Sequence, residues 1–213
     1  MRRINYIPGL FALTVLTVNA QSAFQVRYAA NVTAGDSVVN ITNTGAHGVG
    51  PNGPGIGGPV GNLCINAYAF SPDEQLIACC SCLVTPNGLI SLSVVNDLIY
   101  NTLTGIRPDS VVVKLLSTGA GANFTGSSCT NSSALAGTTD FPVATGMLAW
   151  GTTIHSASGR APASFTETPF SPAPLSPTDQ ASITGRCAFM IGNGSSYGIC
   201  RSCRTGGLAN TSM

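Results

Sequence analysis

A chain of 213 residues is long enough for one substantial hydrophobic core or two small ones. Only 8% of it is charged, against about 25% in an average soluble domain, so Ser, Thr, Asn and Gly must do most of the solvating. Nine basic and eight acidic residues give no cationic field of the kind nucleic acids and anionic lipid surfaces require, which excludes both as expected partners.

The first twenty residues have the layout of a secretory signal peptide. Arg2 and Arg3 form a short positive region, residues 7–18 are mainly apolar, and Val18-Asn19-Ala20 offers small residues for a cut after Ala20, with Ala23 as a second candidate. Residues 7–18, at about 1.5 Å each, fall far short of a hydrocarbon core about 30 Å thick. No later stretch is long and apolar enough to span a membrane. The expectation is export, with residues 1–20 removed and residues 24–213 forming one secreted β-rich domain. Any sub-boundary would fall within residues 117–139, where small and polar residues dominate. Cleavage removes two of the nine basic residues, so seven face eight acids in the mature chain.

From Phe24 the chain alternates, with Val26, Tyr28, Ala30 and Val32 pointing one way and Gln25, Arg27, Ala29 and Asn31 the other. Ala34-Gly35-Asp36 is a turn, and Val39 and Ile41 mark a second strand. Residues 35–45, Gly-Asp-Ser-Val-Val-Asn-Ile-Thr-Asn-Thr-Gly, loosely resemble the first strands of bacterial surface β-sandwich modules. The resemblance is confined to that stretch and carries no functional motif. Residues 48–61 hold seven glycines and three prolines, and formally match the dinucleotide fingerprint twice. That fingerprint needs a helix to receive the pyrophosphate, and Pro51, Pro54 and Pro59 leave none to form, so a surface loop is expected.

Residues 63–70 read as a strand apolar on both faces, Ser71-Pro72-Asp73-Glu74 as a turn, and residues 75–84 as the return. Ile90, Leu92 and Val94 alternate with Ser91 and Ser93 in a half-buried strand, followed by a long loop or short edge strand to residue 109. Residues 111–116 form a near-continuous apolar strand around Lys114, and residues 147–155 and 164–170 can pair as a hairpin. Ser176-Pro177-Thr178-Asp179 is an N-cap, a proline at the first helical position and an acid in the first turn. A helix over about residues 177–191 follows, with Ile183, Cys187 and Met190 on one face and Gly192-Asn193-Gly194 as its stop. Turns and strands at this spacing predict a mostly β fold, an antiparallel sandwich-like domain stapled by disulfides with one C-terminal helix.

Cys64, Cys79, Cys80, Cys82, Cys129, Cys187, Cys200 and Cys203, in an exported chain, are expected to form four disulfides. A hairpin centred on Asp73 sets Cys64 opposite Cys82 or Cys80. Adjacent Cys79 and Cys80 point to opposite faces of a strand and should reach different partners. Cys129 and Cys187 would bridge the second-half loop to the helix, leaving Cys200 and Cys203 to return to residues 79–82.

Other chemistries are weighed against that stapling role. Cys200-Arg201-Ser202-Cys203 has redox spacing, and Arg201 and Arg204 would favour a thiolate, but the helix precedes the motif rather than following it. Cys79, Cys80 and Cys82 with Cys200 and Cys203 could ligate a metal, yet one Cys-x-x-Cys and a Cys-Cys-x-Cys is a weak pattern in an oxidising compartment. Gly194-Ser195-Ser196-Tyr197-Gly198 matches a nucleophile elbow in the wrong strand–helix order, with His155 preceding the serine. Asp73 and Glu74 are neighbours in a turn, not carboxylates facing each other across a substrate. His47 stands alone. Asn31, Asn40, Asn123, Asn131, Asn193 and Asn210 begin Asn-x-Ser/Thr triplets, which matter only in a glycosylating host.

No catalytic residue, metal or cofactor is expected. The functional expectation is a non-enzymatic structural, adhesive or binding protein, secreted to the cell surface, extracellular space or periplasm. Its expected partner is a surface polysaccharide, a protein or a second copy of itself. The alternative is a thiol–disulfide or metal-thiolate protein using Cys79, Cys80, Cys82, Cys200 and Cys203.

Overall fold

The computed structural model describes residues 22–50, 60–129, 137–155 and 164–201, with the backbone of 204–205. The expected signal segment, the centre of the glycine-rich loop, Asn131, Asn210 and Cys203 lie outside the described residues.

Strands β1 (Phe24–Ala29), β2 (Ser37–Asn43), β3 (Leu63–Phe70), β4 (Leu76–Val84) and β5 (Leu89–Ser93) precede β6 (Val111–Gly119). Strands β7 (Met147–His155), β8 (Ser164–Pro169) and β9 (Ser171–Pro172), helix α1 (Pro177–Gly192) and β10 (Arg204–Thr205) complete the order. They form two antiparallel sheets, one in the order β4-β3-β6-β1-β9 and one in the order β10-β5-β2-β7-β8. Both sheets mix strands from before and after the polar segment at 117–139.

The core between the sheets is built from alternate residues of each strand, including Ile65, Ala67, Val113 and Leu115 on one side and Val39, Ile41, Leu92 and Met147 on the other. The other face of the first sheet carries a second core, in which Phe24, Tyr68, Phe70 and Leu116 meet Ile183, Cys187 and Met190 of α1. The first sheet is therefore a middle layer. That is why β3 is buried along its whole length and reads as apolar on both faces.

Helix α1 starts where the cap chemistry places it. The Ser176 hydroxyl accepts a hydrogen bond from the Asp179 amide at 3.1 Å, Pro177 begins the helix, and Asn193 closes it. Its amphipathic stripe puts Ile183, Thr184, Cys187 and Met190 inward.

The stretch after β5 differs from the expected loop or edge strand, and two other local features add to the expected layout. The turn at residues 34–36 does not return β1 on itself: it carries the chain from one sheet to the other, since β1 pairs with β6 and β2 with β5 and β7. The stretch after β5 opens with a π-helical turn, Val94–Leu98, capped by the Ser93 hydroxyl on the Asn96 amide and by the Asp36 carboxylate on the Val95 amide. In β1, Phe24 and Val26 lie on the helix side, and Tyr28, continuing that row, is 61% exposed. Gln25, Arg27 and Ala29 are buried.

Candidate functional site

Strand β4 is the junction of the disulfide network. Cys79 faces the helix and bonds Cys187, with the Cα atoms 5.9 Å apart. Its neighbour Cys80 faces the inter-sheet core and bonds Cys200 at a Cα separation of 5.4 Å. The opposite-face expectation for these two cysteines holds, as does the return of Cys200 to this strand. Cys82, on the same side as Cys80, is also disulfide-bonded. Backbone bonds reinforce the junction: the Cys79 amide donates to Gly198 O at 2.8 Å, and the Arg201 amide to Asp97 O at 3.0 Å.

Two expected pairings are corrected. Cys64 bonds Cys129, at a Cα separation of 5.6 Å, and not Cys80 or Cys82. The cause is a bulge. Near the turn Phe70 pairs with Leu76, but after the shift at Ala69/Phe70 the register moves by one residue and Cys64 pairs with Leu83. A one-residue slip flips a side chain to the other face of the sheet. Cys80 and Cys82 thus share a face with Ala67 and Ile65, and Cys64 points away from them. The expected Cys129–Cys187 bridge also fails, because Cys187 sits over β4 and takes Cys79, while Cys129 takes Cys64.

The remaining sequence candidates are held in local structure. The Asp73 carboxylate accepts from the Ser71 hydroxyl and from Gln75 Nε2, so it builds the β3–β4 turn, where Glu74 adopts a φ of 65°. His155 is bonded to the Thr166 hydroxyl at the end of the β7–β8 hairpin. Ser196 follows α1, with its carbonyl accepting from Asn101 Nδ2 at 2.9 Å. The two belong to different parts of the molecule and form no nucleophile–base pair. His47 stacks on Phe124, ring centroids 4.0 Å apart. The Arg201 guanidinium lies 4.7 Å from the Tyr100 ring, which Arg107 also approaches at 5.2 Å. Among the described residues no group of three or more His, Cys, Asp or Glu side chains is arranged to hold a metal ion.

Arg27 is the residue the sequence did not single out. It extends from β1 across the gap between the sheets and is 8% exposed. Its Nε donates to the Thr168 hydroxyl at 2.9 Å, Nη1 to the Ser37 hydroxyl at 2.8 Å and Nη2 to the Thr153 hydroxyl at 2.8 Å. These acceptors come from β8, β2 and β7, three neighbouring strands of the second sheet. None is a carboxylate. Asp36, next to Ser37, is committed to the Ser37 and Val95 amides and the Ser93 hydroxyl. Loss of hydration pulls the Arg27 pKa below its ordinary value.

Arg27 lines a cleft of about 590 Å³ together with Tyr28, Asn31, Ala34, Ile154, His155 and Thr168 among others. No acid lines it. The clue in the sequence was Gly151, a glycine inside a strand, which marks a place where something approaches the backbone closely. A second groove, about 410 Å³, runs between α1 and the β3–β4 hairpin, with Leu76, Leu103, Phe189 and Met190 as its apolar walls and Arg186 and Glu74 at its rim.

These features define a mostly β protein of two antiparallel sheets with a C-terminal helix, cross-linked by disulfides at Cys64–Cys129, Cys79–Cys187 and Cys80–Cys200. Comparison with family models, curated proteins and solved structures finds no match for this chain. Among the described residues no helix is long and apolar enough to cross a membrane.

Proposed function

We propose that this is an exported, non-enzymatic module, structural, adhesive or ligand-binding, working at the cell surface or in the extracellular space. One observation supports it above the others. Cys79, Cys80 and Cys82 on one strand are all disulfide-bonded, and the first two tie it to segments 108 and 120 residues further along the chain. Cross-links between distant segments restrict the unfolded chain, which is how small secreted folds with charge-poor surfaces gain stability. The signal-like layout of residues 1–20 and the near-neutral mature charge support the same reading.

The test is the state of the protein after passage through an oxidising compartment. The mature chain is expected to begin after Ala20 or Ala23, to take up no alkylating reagent before reduction, and to weigh one hydrogen less for each of its eight cysteines than its reduced form. A reactive thiol pair, or stoichiometric zinc or iron, would replace this reading with a thiol–disulfide or metal-thiolate function.

A further inference from the structure

We infer that the cleft over Arg27 binds a small carboxylate of sugar-acid size, held by the Arg27 guanidinium. An arginine side chain has five N–H donors. Three of them serve the hydroxyls of Thr168, Ser37 and Thr153. The other two have no acceptor among the described residues. Hydroxyls orient a guanidinium but do not neutralise it, and a buried cation without a counter-ion is unstable relative to the same cation in water. The fold nevertheless provides for this one, with hydroxyls from three strands and a glycine at position 151 that leaves its volume free. A carboxylate fits what is left. Its two oxygens match the two unassigned donors, and its single negative charge matches the single fixed cation. A sulfate or phosphate dianion would bring in one charge more than Arg27 supplies.

The walls set the size and kind of molecule. About 590 Å³ lies within the range of small-ligand sites. Thr153 and His155 face the same side as Arg27, Asn31 adds a polar group, and Tyr28 and Ile154 border the cleft from the outer faces of their strands, a polar lining suited to a hydroxylated acid of sugar size. The inference rests on the binding side of the reading above. A failed titration with all disulfides intact removes the ligand and leaves the stapled module standing, whereas free thiols overturn that reading independently of the cleft.

The experiment is a titration of the ¹⁵N-labelled mature protein with glucuronate, glucose and sulfate, following the Arg27 Nε–H resonance by NMR. Glucuronate is expected to shift that resonance saturably, with a Kd at least ten-fold lower than glucose or sulfate gives. Arg27→Lys keeps the charge and tests the fork of donors, but endangers the fold. Ala34→Trp is therefore the second variant: it stands exposed on the cleft wall, and it should weaken glucuronate binding at least ten-fold with Tm unchanged. The inference is overturned if glucuronate leaves the Nε–H resonance in place. Equal binding of glucose or sulfate overturns it as well, and so does an Ala34→Trp protein that binds glucuronate as the parent does.

Discussion

The guanidinium of Arg27 occupies the space that a side chain at Gly151 would need. A Cβ added at Gly151 would lie 2.0 Å from Arg27 Cζ, 2.1 Å from Nη1 and 2.2 Å from Nε. Two residues far apart in sequence are thus a single packing unit, one contributing a cation and the other the absence of a side chain. Gly151→Ala is expected to cost about 1–3 kcal/mol, because the flexible Arg27 side chain must shift and strain its bonds to the three hydroxyls. Gly185, within α1, has nothing within 4 Å of its would-be Cβ. Gly185→Ala should instead stabilise the protein by about 1 kcal/mol through helix propensity. Denaturant midpoints of the two variants, moving in opposite directions, check both statements.

Beneath the helix, the Tyr68 phenol is buried and its oxygen has no hydrogen-bond partner among the described residues. Tyr68→Phe removes an unsatisfied polar group without changing shape, so it should raise stability by about 1 kcal/mol.

The same burial pushes the Tyr68 pKa up from its ordinary value of 10.0. A group whose pKa is raised on folding contributes in full below its unfolded value and loses that contribution as pH climbs from the unfolded toward the folded value. The Tyr68 contribution is therefore constant below about pH 10 and falls above it. Comparing chemical stability at pH 9 and pH 11 for the parent and Tyr68→Phe isolates this term: the parent should lose more.

The two bridges at β4 should fail differently. Replacing Cys79 and Cys187 together by Ala is expected to cost about 2–5 kcal/mol and to collapse amide-exchange protection in α1 first. Replacing Cys80 and Cys200 should cost a similar amount while α1 stays protected, since that bridge lies on the other face of the strand. Residue-resolved hydrogen exchange distinguishes the two.

Ser176 closes the helix start with a single side-chain bond to the Asp179 amide. Ser176→Ala should cost about 1 kcal/mol, and Ser176→Asp should recover most of it, read as a shift in Tm.

Much of this architecture was legible. The Ser176-Pro177-Asp179 signature located the helix start, and the double-faced apolar run at residues 63–70 marked a strand with a layer on each side. The 147–155 and 164–170 segments pair as a hairpin, as their flanking turn signals imply. What was not legible depended on register and on tertiary context. Ile77 in the bulge of β4 is one extra residue, indistinguishable in sequence from its neighbours, yet it decides which face Cys64 occupies. In β1 both faces are covered along part of the strand, so alternation marked a strand but not its inward side. Val26 goes toward the helix, and Arg27 goes into the gap that Gly151 leaves. The hydroxyls that receive Arg27 sit on three other strands, and their convergence exists only once the sheets are stacked.

The Cys80–Cys200 bridge also changes how tension travels through the molecule. Tension that reaches residue 200 from the C-terminal side crosses the sulfurs to residue 80 and continues toward the N-terminus, bypassing the 120 residues in sequence between them. Helix α1, β6, β7 and β8 hang inside that shortcut and cannot be drawn out while the bridge is closed. Strands β1 to β3 and the start of β4 lie outside the shortcut and carry the force directly. For a protein anchored at one end and pulled at the other, most of the fold would be mechanically silent.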